Sequence, residues 1–157
     1  MSPRKYDYRR NLPHLQKDYR PVFVTFATHK RWELPETARQ LTLDCCLKQN
    51  GDTIDLHGVV VMPDHVHMIF TPRSDCDGPF SLMEIMHAIK GASAHVINQS
   101  LQRRGRVWQE ESFDHVLRSN ESLAQKVDYL CQNPVRAGLA RASEEYPWLW
   151  RGAVPVL

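Results

Sequence analysis

The chain has no apolar run near the ~20 residues that a bilayer-spanning helix needs. Its first fourteen residues, MSPRKYDYRRNLPH, contain no apolar stretch of the kind a secretory leader carries. A soluble, cytoplasmic protein is therefore expected. Cysteine is sparse, with four in 157 residues, at positions 45, 46, 76 and 131, and no CxxC pair. The adjacent Cys45 and Cys46 suit neither a zinc knuckle nor a disulfide framework, so all four are read as reduced thiols. There is no internal repeat and no low-complexity tract, which removes repeat architectures from consideration.

What is present describes one globular domain. At 42% hydrophobic and 24% charged residues, a chain of this length buries a core without staples. The net charge of +2 conceals a split. Residues 1–20 hold Arg4, Lys5, Arg9, Arg10, Lys17 and Arg20 against Asp7 and Asp18, a net +4, so the rest carries −2. With Tyr6, Tyr8 and Tyr19 interleaved, this arm suits phosphates and base stacking, although a solvated tail has the same composition. Arg103, Arg104 and Arg106 form a second basic cluster. The chain divides into a basic arm (1–20), a catalytic domain (21–135) and a tail (136–157) that holds Tyr146, Trp148 and Trp150 without a clear period.

Periodicity supplies the elements. Residues 22–27, VFVTFA, read as a strand. Pro35 opens a helix that runs to about Asn50, with Ala38, Leu41, Cys45 and Cys46 on its apolar stripe. Residues 53–62 form a second strand, apolar on both faces at Val59-Val60-Val61-Met62. After Pro63-Asp64 a third strand, 65–71, pairs with it as a hairpin. Ser81 and Glu84 make a capping box, with Phe80 and Ile85 as its hydrophobic staple, for a helix whose apolar face includes Leu82, Met86, Ile89, Val96 and Ile97. Residues 107–117 read as extended. Asn120 caps a last helix to about Gln132, stopped by Pro134. The order β-α-β-β-α-β plus a helix predicts an α+β, ferredoxin-like fold with a largely antiparallel sheet.

Two patterns carry chemistry. His65 and His67 share one strand face, about 7 Å apart along the strand, while Val66, Met68 and Phe70 take the other. Converging imidazoles suit a divalent metal, but the pair alone also fits two surface histidines. On a helical wheel Leu123, Val127, Leu130 and Cys131 cluster near roughly 30°, and Tyr129 falls near roughly 240°. Tyr129 thus leaves the core stripe, with Lys126 and, one turn on, Asn133 on its side. Two imidazoles and an amide oxygen leave positions open on manganese or magnesium. Lys126 either contacts a phosphate or solvates the helix. His57, His87, His95 and His115 read as structural or surface histidines, Asp64 as a turn residue, and Trp108 as core. Trp148 and Trp150 cover either the sheet or a ligand.

These residues resemble a known family. The segment 60–69, VVMPDHVHMI, resembles the histidine-hydrophobic-histidine (HUH) motif of single-tyrosine transposases of bacterial insertion sequences. The segments 107–118, VWQEESFDHVLR, and 129–139, YLCQNPVRAGL, are similar to the REP-associated tyrosine transposases. The resemblance spans about residues 8–150. It implies a ferredoxin-like endonuclease and strand transferase acting on single-stranded DNA near a hairpin, as a monomer or a homodimer. By that likeness Tyr129 is the nucleophile, forming a 5′-phosphotyrosine, and His65, His67 and Asn133 hold Mg2+ or Mn2+. DNA contacts are expected from Arg4, Lys5, Arg9, Arg10, Arg103, Arg104, Arg106 and Lys126. Two other readings share part of the pattern. A histidine-triad nucleotide hydrolase needs a further histidine at 69, where the chain has Ile69. A module that holds DNA hairpins without cutting them has the same residues and differs only in turnover.

Overall fold

β1 (Val22–Ala27) buries every second residue, the alternation its sequence predicts. The computed structural model describes residues 20–118 and 121–153. The arm residues Arg4, Lys5, Arg9 and Arg10 lie outside them, as does Asn120. α1 (Glu36–Gln49) follows Pro35 and ends at Asn50-Gly51, where Gly51 has φ 87°. β2 (Ile54–Val61) and β3 (His65–Pro72) form the expected hairpin, closed by the Met62 N–H to the His65 carbonyl. A small hairpin of β4 (Ser74–Asp75) and β5 (Gly78–Pro79) occupies the predicted loop. α2 (Leu82–Leu101) begins with the Ser81–Glu84 capping box, and Phe80 and Ile85 join the same core cluster.

β6 (Phe113–Val116) is shorter than the extended reading of 107–117, because Trp108 makes only an isolated bridge to Thr28. α3 (Leu123–Cys131) starts at Ser122, whose hydroxyl accepts the Gln125 N–H, and not at Asn120. Both residues are good caps, so residue type alone does not choose the start. Pro134 does not end the helical path either. It sits in the first turn of a second, short helix, α4 (Asn133–Arg136), where its missing N–H costs nothing. Finally β7 (Leu149–Arg151), unreadable in the sequence, adds an edge strand.

The main sheet runs β6-β1-β3-β2-β7 and every pairing is antiparallel. The order β6-β1-β3-β2 is the expected ferredoxin-like arrangement, extended by β7. One face carries Val22, Val24, Phe26, Val66, Met68 and Phe70 and packs under α1 and α2. The other face presents Phe23, Thr25, His65, His67 and Ile69, since β1 and β3 pair Thr25 with His67 and Phe23 with Ile69. α3 covers only part of this second face. Its Val127, Leu130 and Cys131 are buried against Val60, Met62, Ile69 and Tyr146.

A nine-residue helix is shorter than the ~12–15 residues that hold a helix unaided, so this packing fixes where α3 lies. Gly58 lies under the helix: a Cβ there would rest in ordinary contact with Val127 Cγ1 at 3.4 Å and Leu130 Cδ2 at 3.6 Å. The Tyr146 hydroxyl donates to the Val61 carbonyl at 2.6 Å and pins residues 143–151 under the same helix. Trp148 packs against both clusters and Trp150 against the first, so both aromatics cover the sheet. Among the described residues no helix is long and apolar enough to cross a membrane.

Candidate active site

The two imidazoles sit at the end of the second sheet face that α3 leaves open. Their ring centroids are 4.8 Å apart and nearly perpendicular. Each Nδ1 is already engaged. The ring of His65 donates to Asp64 Oδ1 at 2.7 Å, and His67 Nδ1 meets Thr25 Oγ1 at 2.7 Å. A carboxylate only accepts, so His65 carries its proton on Nδ1 and keeps a bare Nε2. With the Thr25 hydroxyl oxygen accepting, His67 is in the same tautomer. Of the two roles the sequence offers Asp64, serving the turn with Pro63 or orienting an imidazole, the first is the one it favours, and the structure shows both. The Asp64 backbone serves the turn, accepting from the Thr28 N–H and hydroxyl. Its carboxylate orients His65 and lies 3.7 Å from Arg31.

Burial is the main reason that the His67 imidazole is pushed down from its ordinary range to about 4. The charges of His65 and Arg136 act in the same direction. His67 is therefore neutral at physiological pH, the form that offers a lone pair to a metal. The folded pKa lies below the unfolded one, so the unfolded chain takes up the proton first and stability falls as pH drops from ~6.5 towards 4. His67→Asn, which cannot titrate, should shrink the loss of Tm between pH 7 and pH 5 by about 2 °C or more in thermal melts. An unchanged pH dependence would contradict this.

The imidazoles open onto a cleft of about 700 Å³ whose walls include Thr25, Arg31, Gln109, Glu111 and Asp114. Phe113, 84% exposed, stands at its rim. A neighbouring groove of about 740 Å³ along α2 is lined by Met83, Met86, Ala94 and Trp108 and contains no imidazole pair. The loop Asp75-Cys76-Asp77 gathers three possible ligand atoms within 4.8 Å. There the Asp77 N–H already bonds Asp75 Oδ1, a turn contact.

Tyr129 is 59% exposed, on the side of α3 opposite buried Val127, Leu130 and Cys131. Neither it nor Asn133 lines the cleft. Half-buried Asn133 donates its Nδ2–H to the Leu130 carbonyl at 2.9 Å, and its Oδ1 remains an acceptor. Arg136 lies beside the tyrosine. Its guanidinium lies 4.0 Å over the Tyr129 ring and donates to the Tyr129 carbonyl at 2.9 Å, and its charge acts on His67.

The basic residues separate by environment. Lys126 is paired with Glu121 at 3.3 Å, and His115 contacts the same carboxylate at 3.0 Å. Arg103 is committed to Asn98, to the Arg106 carbonyl and to the Trp32 ring, whereas Arg104 and Arg106 are exposed. Trp108 is core, donating to Ser93 Oγ at 2.8 Å. His57 bonds Thr71 on the sheet at 2.8 Å, and His87 and His95 are exposed on α2. Sequence reasoning missed Thr25 and Arg136. Thr25, a polar residue on the open face of an apolar strand, was a usable signal. Arg136, seven residues beyond Tyr129, gave none.

The sequence profile of the family described as "Transposase IS200 like" matches residues 9–130. A REP-associated tyrosine transposase of Escherichia coli (strain K12) is 26% identical over 128 residues, 80% of this chain and 72% of that protein. Among solved structures, one of a REP-associated tyrosine transposase bound to a REP hairpin superposes with a TM-score of 0.67 at 22% identity. The match covers 88% of this chain and 89% of that one, and the two share the fold.

Proposed function

Since the chain belongs to the IS200-like transposase family, we propose that it cuts and rejoins single-stranded, hairpin-bearing DNA through a 5′-phosphotyrosine on Tyr129. One observation carries this reading. Two imidazoles have their Nδ1 atoms tied at 2.7 Å to Asp64 and Thr25, which leaves both Nε2 atoms for a divalent cation at the cleft they line.

Two imidazoles from β3, each held by a hydrogen bond, suit such an ion, and we take the Asn133 amide oxygen, one turn beyond Tyr129, as the third ligand. Magnesium or manganese held there would polarise a phosphoryl oxygen and offset charge that builds in the transition state. Asp64 and Thr25 stop the rings from rotating. Tyr129, exposed and on a helix fixed by Gly58, Val127 and Leu130, presents its phenol to the strand. The phenolic oxygen bonds to phosphorus, the bond to the 3′ oxygen breaks, and the phenol proton is lost as the 3′ oxygen gains one. Reversal by a 3′-OH joins strands.

The solved relative's REP hairpin supports the choice of a hairpin partner. We assign residues 1–20 to DNA as a basic arm together with Arg104 and Arg106, take residues 21–135 as the catalytic unit, and read residues 136–157 as a tail in which Tyr146 and Leu149 brace α3. The cytoplasm is the proposed location.

Incubation of the protein with hairpin-bearing single strands and Mg2+ or Mn2+, resolved on a denaturing gel, tests the reading. A covalent adduct is expected. Tight binding without an adduct under either metal would favour a module that holds hairpins without cutting them. In the same assay Asn133→Ala should raise the metal concentration for half-maximal adduct formation roughly tenfold or more. An unchanged titration would remove Asn133 from the ligand set.

A further inference from the structure

We propose that Arg136 binds the scissile phosphate while clamping the Tyr129 ring, a role that rests on the reading of Tyr129 as nucleophile. Among the described residues, Arg31, Arg39, Arg73 and Arg151 each face a carboxylate. Lys126, the basic residue one turn before Tyr129, is spent on Glu121. Arg136 has no acidic partner among the described residues. It makes one bond to the Tyr129 carbonyl, and its Cζ lies over the Tyr129 ring, 4.0 Å from the centroid. A guanidinium has five N–H donors, so one bond leaves others for further acceptors, and its fork matches the oxygens of a phosphate. Arg136 is exposed, as is Tyr129, so those donors and the phenol meet the same solvent.

The position of Arg136 is built rather than incidental. α4 closes with a paired turn: the Leu139 N–H bonds the Pro134 carbonyl at 2.8 Å and the Gly138 N–H bonds the Val135 carbonyl at 3.0 Å. Gly138 takes φ 74°, which glycine adopts without strain. Pro134 is buried at the other end of this short helix. Arg136 is thus held one turn beyond Asn133, its charge reaching both Tyr129 and His67. When the phenolic oxygen bonds to phosphorus and the bond to the 3′ oxygen breaks, negative charge grows on the nonbridging oxygens. A preorganised guanidinium stabilises that charge.

The test is single-turnover adduct formation at saturating hairpin DNA and Mn2+ by the parent, Arg136→Ala and Arg136→Lys. Loss of one such donor slows chemistry by roughly 10²-fold or more, so Arg136→Ala should fall by that amount with its Tm near the parent's. Millimolar guanidinium ion should restore the rate at least tenfold and urea should not, because a structural defect is not repaired by a free cation. Should Arg136→Ala fail to fold, Arg136→Lys decides. It keeps stem and charge but loses the planar fork, and at least a tenfold loss is expected. A folded Arg136→Ala at the parent rate, a loss that guanidinium does not repair, or Arg136→Lys at the parent rate overturns the proposal. A parent that forms no adduct overturns the underlying reading as well, and so separates the two failures.

Discussion

Replacing Tyr129 by phenylalanine should reduce adduct formation on the order of 10⁴-fold or more, to below detection, with hairpin binding retained. The substitution removes one oxygen from a side chain that is 59% exposed and makes no buried contact, so Tm should stay within a few degrees of the parent. The cation over the ring survives, because phenylalanine presents the same face to Arg136. The other tyrosines are poor substitutes. Tyr146 is buried and committed to the Val61 carbonyl, with burial pushing its phenol further up. Tyr6, Tyr8 and Tyr19 belong to the basic arm. A denaturing gel that shows the variant forming adduct at the parent rate would remove Tyr129 from the chemistry.

Alanine at His65 or His67 should lower adduct formation by roughly 10³-fold, since a cation left with one imidazole is bound weakly and polarises phosphate poorly. The two variants should differ in stability. His65 is the first residue of the central strand β3, bonded to its own neighbour Asp64. His67 is tied across the sheet to Thr25 and packs edge-on to Phe23 at 5.7 Å. His67→Ala should therefore melt lower than His65→Ala, while both lose activity alike. Full activity of either variant in the presence of chelator would show that the imidazoles hold no catalytic metal.

The parts of the fold that were legible in the sequence are those set by neighbours in the chain. The alternation of β1, the Pro63-Asp64 turn and the Ser81–Glu84 cap are each decided within a few residues, and each stands as expected. Facing was legible too. The wheel put Tyr129 opposite Val127 and Leu130, and the chain buries those two while exposing the tyrosine. What escaped depends on contacts distant in sequence. β7 exists because Leu149–Arg151 find Gly58–Val60 along the edge of β2, and three residues are too few to show a period.

The start of α3 escaped for a different reason. Asn120 and Ser122 are equally suited to cap a helix by residue type, so the sequence does not choose between them, and it is Ser122 that accepts the Gln125 N–H. In the site, His65 and His67 were visible as a local pattern. Thr25 stood out as a polar residue on an apolar strand, but its partner His67 lies 42 residues away and could not be read from that signal. Asp64 looked like turn chemistry because it is that as well, its carbonyl serving Thr28 while its carboxylate serves His65. Arg136 was hidden by Pro134, which in sequence reads as a stop. It opens α4 and so carries the arginine back over the tyrosine.

The most direct measurement is mass spectrometry of the trapped adduct after nuclease trimming and trypsin digestion. Cleavage after Lys126 and Arg136 releases residues 127–136, VDYLCQNPVR, in which Tyr129 is the sole tyrosine. The proposed chemistry requires the nucleotide on that peptide, joined through its 5′ phosphate, with a free 3′-OH on the released strand. A nucleotide found on an arm peptide, on the peptide of Tyr146 or on a histidine would contradict it.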